Sequence, residues 1–75
     1  MPQLPGNATQ NSVVRALEAA GGREVRNRGK GSHRLIEMPG QQRPVVVPMK
    51  IKPGLLRAII REAGLTLDEF VEFHK

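Results

Sequence analysis

The chain has 75 residues, a net charge of +5 and only two aromatics, Phe70 and Phe73, which allows one small domain with a thin core, burying about 60% of the unfolded surface. The absence of cysteine excludes disulfide frameworks, zinc ribbons, iron–sulfur clusters and thiol nucleophiles, and two rings are too few for a base-stacking platform. Two histidines and seven acids leave little for a metal site, no apolar run approaches the about 20 residues of a membrane helix, and no signal-peptide stretch opens the chain, so a soluble protein of a reducing cytoplasm is expected.

Residues 1–8, with two prolines, a glycine and an asparagine, read as a flexible leader ahead of a single domain over 9–75. Thr9 is the expected N-cap of a helix running to about Ala20, with Val13, Val14, Leu17 and Ala20 on one stripe. Gly21-Gly22 ends it, because glycine accepts the left-handed conformation of a helix C-cap. Three short strands should follow: Arg23 to Arg28 around Val25, Ser32 to Met38 after the Gly29-Lys30-Gly31 turn, and Arg43 to Val47 after Pro39-Gly40. Pro44 and Pro48 cannot donate to a ladder, so the third strand should be short or lie at an edge. Pro53 fits the first position of a second helix, carrying Leu55, Leu56, Ile59, Ile60 and Ala63 and closed by Gly64. Thr66 and Glu69 form a capping box for a third, with Leu65 stapling against Phe70 and with Val71 and Phe73 on its apolar side. His74, at a fraying end, should be a surface residue. The order is α-β-β-β-α-α: an α+β fold, a three-stranded antiparallel sheet with helices on one face.

The charge is concentrated. Between Arg23 and Lys52 stand eight bases (Arg23, Arg26, Arg28, Lys30, Arg34, Arg43, Lys50, Lys52) and two acids, a net +6. The remainder holds four bases and five acids, a net −1. Such a block is an electrostatic footprint for a polyanion, most often nucleic acid, or else a surface that keeps the protein in solution.

Within the block, Gly29-Lys30-Gly31-Ser32-His33-Arg34 is the candidate for chemistry. Cleaving an RNA phosphodiester needs a base for the 2′-hydroxyl, cations for the developing phosphoryl charge, and room for the backbone. A histidine serves as base or acid near neutral pH, while Lys30, Arg34 and the N–H groups of Gly31 and Ser32 supply positive ends. The bland reading is a histidine that packs or hydrogen-bonds at a strand end. A P-loop is excluded, because the helix it requires is missing after the glycines. No paired carboxylates stand near His33, so neither a metal nor another cofactor is expected.

Three segments together resemble the HicA toxin family of bacterial toxin–antitoxin systems. They are the R-x-R-G-K-G-S-H-R core at Arg26 to Arg34, Val45-Val46-Val47-Pro48, and the run from Lys52-Pro53-Gly54 to Gly64-Leu65-Thr66. The resemblance spans roughly residues 9 to 71. It implies a double-stranded-RNA-binding-like fold and a metal-independent endoribonuclease that cleaves mRNA, is a monomer or weak dimer when free, and is neutralised by a HicB antitoxin. It also implies that His33 is the catalytic residue, with Arg26, Arg28, Lys30, Gly31, Ser32, Arg34, Lys50 and Lys52 holding RNA. Gly22 stands where the family usually has a large residue, so a thinner core is expected under the first strand. The turn after Pro48, often histidine-bearing in the family, is Met49-Lys50-Ile51, leaving Lys30, Arg34 or water to protonate the leaving group. A non-catalytic RNA-binding module would need only the same fold and basic block. A DNA-binding repressor fits less well, for no helix is as basic as a recognition helix.

Overall fold

The computed structural model describes residues 4–25 and 32–74. It contains α1 (Gln10–Ala19), β1 (Arg23–Val25), β2 (Arg34–Glu37), β3 (Val45–Val47), α2 (Pro53–Glu62) and α3 (Leu67–Phe73). The strands form one antiparallel sheet in the order β1-β2-β3. The architecture is the α+β arrangement expected.

Local chemistry explains the element ends. Thr9 caps α1, its hydroxyl accepting from the Ser12 amide while Ser12 Oγ accepts from the Thr9 amide. A serine thus fills the place usually held by Glu or Gln in a capping box. Thr66 and Glu69 form the expected box on α3. Helices α1 and α2 end alike, with Gly21 at φ 103° and Gly64 at φ 77°. In each, the next residue's amide reaches back to a helix carbonyl, Gly22 to Leu17 and Leu65 to Ile60.

Strands β2 and β3 are shorter than the sequence suggests. The expected first strand and the Gly29-Lys30-Gly31 turn run into 26–31, outside the described residues. At β3, pairing begins only at Val45, beyond Pro44, and ends at Val47, before Pro48; β3 is an edge strand, as its prolines require. Alternation then sorts the side chains. Ile36, Val45 and Val47 are buried beneath the helices, while Val46 lies on the open face, 44% exposed.

Helix α1 packs across all three strands, α2 against β3, and α3 on α1 and α2. Val13, Val14, Ala16 and Leu17 of α1, Leu56, Ile59 and Ile60 of α2, and Phe70 of α3 meet the sheet residues and Met38 in one core. Leu4 and Ala8, ahead of α1, pack against it. Ala20 is only half-buried, and Leu55 and Phe73 are exposed; on the seven-residue α3 only Phe70 is fully covered.

The expectation of a thin core at Gly22 is corrected. A Cβ built there would lie 2.8 Å from the Leu17 carbonyl oxygen, 2.8 Å from Ile36 Cγ2 and 2.6 Å from Met38 Sδ. The volume is already filled from β2 and beyond, and only glycine fits.

Candidate functional site

The antiparallel register brings the end of β1, the start of β2 and the end of β3 to one end of the sheet. Val25 pairs with Leu35, and Arg34 with Val47. The chain therefore leaves β1, enters β2 and leaves β3 at the same end, and Lys50, Lys52 and the start of α2 follow directly from β3. Gln10, in the first turn of α1, reaches this end too: its Nε2 donates to the carbonyls of Ser32, at 2.8 Å, and Val47, at 3.0 Å.

His33 stands one residue before β2 and is exposed. Its Nδ1 lies 3.1 Å from Ser32 Oγ, a hydrogen bond whose donor depends on the ring tautomer. Lys50 and Lys52 are exposed. Lys52 is the N-cap of α2 but gives no capping hydrogen bond, and the first turn of α2 has no acid. The amides that begin α2 thus keep the positive end of the helix open to an anion. Of the residues expected at the site, Ser32, His33, Lys50 and Lys52 share this end of the sheet. Arg26, Arg28, Lys30 and Gly31 lie outside the described residues.

Arg34 is placed differently from a cation waiting for phosphate. Its Nε donates to Glu24 Oε2 and its Nη2 to Glu24 Oε1, both at 2.7 Å, while Nη1 donates to Asn11 Oδ1 at 3.0 Å. All three guanidinium nitrogens are engaged on the helix side of the sheet, in a bidentate pair of the strong type. The Glu24 carboxyl is held below its ordinary range chiefly by the hydrogen bond from Arg34, and Arg34 is raised in turn by the bond to Glu24. Glu24, Asn11 and Gln10 were not among the residues singled out from the sequence. One signal pointed to Glu24: in a paired β1–β2 hairpin it sits diagonally across from Arg34 on the same face.

Elsewhere, His74 is not the loose surface residue expected at a fraying helix end. It is half-buried, its Nε2 2.9 Å from Ser12 Oγ and its ring stacked on Phe70 at 5.3 Å. An open depression of about 680 Å³ lies at the opposite end of the sheet, lined by Gly40 to Pro44 and Glu62. Among the described residues no group of three or more His, Cys, Asp or Glu could hold a metal ion. No helix among them is long and apolar enough to cross a membrane.

Compared with known families, residues 11–65 match the model of the HicA toxin of bacterial toxin–antitoxin systems, 55 of the 75 residues. The chain belongs to the HicA toxin family. Comparison with curated proteins and with solved structures gives no match. Membership makes the protein a toxin and implies an antitoxin partner. The HicA match runs from Asn11 through α2 to Leu65, taking in Ser32-His33-Arg34 and both Lys50 and Lys52, and leaves α3 outside.

Proposed function

We propose that this HicA toxin is a metal-independent endoribonuclease acting on mRNA, with His33 as its general base. The observation that carries the reading is the position of His33: exposed at the sheet end from which β3 runs on to Lys50, Lys52 and the uncapped start of α2, inside the matched region. His33 takes the proton of a ribose 2′-hydroxyl, and the freed oxygen attacks the adjacent phosphorus. The P–O5′ bond breaks, leaving a 2′,3′-cyclic phosphate and a 5′-hydroxyl once the leaving oxygen is protonated. Lys30, Lys50, Lys52 and the amides of Gly31 and Ser32 stabilise the phosphoryl charge, and Arg26 and Arg28 extend the track for the RNA backbone. Arg34, its charge already met by Glu24, contributes less to that field than its sequence position suggests. A HicB antitoxin neutralises the toxin by covering this end of the sheet, where a basic surface favours rapid capture by an acidic partner.

The test uses purified protein, excess chelator, and RNA beside an all-deoxy substrate of the same sequence. General base catalysis is typically worth about 10²–10⁴-fold, so His33→Ala should lose that much cleavage while still binding RNA. Cleavage of the all-deoxy strand, abolition by chelator, or undiminished activity in His33→Ala would each defeat the proposal. An inactive wild type that binds RNA would establish the module reading instead.

A further inference from the structure

The residues on either side of His33 are tied to the first turn of α1. Ahead of it, one side-chain amide, Gln10 Nε2, donates to both the Ser32 carbonyl and the Val47 carbonyl. Behind it, Arg34 is fixed by Glu24 and Asn11. The two tethers differ in kind. Glu24–Arg34 is a side-chain pair, whereas Gln10 grips the backbone of the residue bonded to His33. Pro48 has no N–H, so past Val47 the β3 backbone has no donor at the next position for β2. The Gln10 amide stands at this point and links the end of β3 to the segment just ahead of β2, where the backbone ladder stops.

We propose that Gln10 is a positioning residue for cleavage, its amide setting the backbone from which His33 projects; this rests on the assignment of His33 as the base. Gln10 is half-buried and 22 residues from Ser32 in the chain. Its role is geometric. A misplacement of about 1 Å in a reacting group can cost on the order of 10²-fold in rate, and without the bridge the segment 32–33 is held by fewer bonds. RNA binding through the lysines does not pass through Gln10.

The experiment compares wild type, Gln10→Met, Gln10→Lys and His33→Ala in single-turnover cleavage of RNA, with the His33 ring resonances followed by NMR. Met keeps the length of Gln and removes the donors; Lys restores them. Gln10→Met should lower the cleavage rate by about 10- to 100-fold at unchanged RNA affinity, with the His33 ring signals shifted or broadened. Gln10→Lys should recover most of the rate and wild-type-like His33 signals. A Gln10→Met protein as fast as wild type, beside an inactive His33→Ala, overturns the positioning role and leaves the His33 assignment standing. If His33→Ala stays active, the base assignment fails, and the positioning role in cleavage fails with it. Should Gln10→Met not fold, Gln10→Ala takes its place: a folded Ala variant that cleaves at the wild-type rate, or one whose rate falls while the His33 signals stay where they are, overturns the proposal.

Discussion

Arg34 shows how much a single side chain's role depends on its partners. Read along the chain it is one of several cations around His33; in the fold its guanidinium is matched to a carboxylate and an amide. The pairing makes a pH-dependent contribution whose sign follows from Glu24. Its folded-state acidity is strengthened relative to its ordinary value of 4.5, so the stabilisation is fully present above that value. It is lost as the pH falls through the lower folded-state value. Both side chains remain about one-third exposed, Arg34 at 29% and Glu24 at 34%, so the effect should stay below about 1 kcal/mol. Chemical denaturation at pH 7 and pH 3 checks this: Glu24→Gln should lose less stability on acidification than wild type. An equal or steeper loss would mean the pair contributes nothing to the acid limb. The pairing was hidden in the sequence because it needs the β1–β2 register. Gln10 was harder still, for nothing local marks a glutamine whose partners lie 22 and 37 residues away.

At the scale of the elements, the joint between α1 and β1 leaves no room for a side chain at Gly22. The Gly22 amide donates to the Leu17 carbonyl at 2.8 Å, and the same oxygen blocks any Cβ at Gly22. A backbone atom cannot swing aside as a long side chain can. Gly22→Ala should therefore cost about 1–3 kcal/mol, as overpacking typically does, and lower the midpoint of thermal unfolding by several degrees. An unchanged midpoint would show that the joint can relax. The helices were the most legible elements, because their caps and stripes are local: Thr9, Pro53, Thr66 and Glu69 all take the roles their positions suggest. Of the strands, β2 and β3 are shorter than their sequence implies. Three or four residues carry little periodic signal, and Leu35-Ile36 gives no hint of which side chain faces inward; pairing decides, burying Ile36 and leaving Leu35 half-covered. Gly22 could only be read as missing volume, since the side chains that fill its place come from residues 14 and 16 positions later.

Over the whole molecule, charge and topology work together. The two acids of the 23–52 block are each tied to a base of the same block, Glu24 to Arg34 and Glu37 to Arg23. Among the described residues, the cations of the block left outside these pairs divide by position: Lys50 and Lys52 at the His33 end, Arg43 at the opposite turn. RNA held through phosphates loses affinity as salt rises, with a slope of about 0.7 per phosphate neutralised on a single strand. Replacing Lys50 and Lys52 together by Gln should flatten the slope by about 1.4, while Arg43→Gln should leave it nearly unchanged. Equal flattening by Arg43→Gln would mean that RNA is not confined to one end. Composition already located the basic block, and the element order placed it in a meander. That Ser32, His33 and Lys50 come to one end, away from Arg43, follows from antiparallel pairing.

The contact between Ser12 and His74 closes the molecule in another sense. Those residues are 62 apart in sequence and 2.9 Å apart in space, so the fold is nearly a ring with its seam beside the α1 cap. A short linker could bridge from His74 to the segment ahead of Thr9, and the exposed turn around Gly40 offers a place to open the chain. Such a permuted chain retains the same native contacts while turning the β2–β3 hairpin into a pairing between distant segments. By raising contact order, that change slows folding.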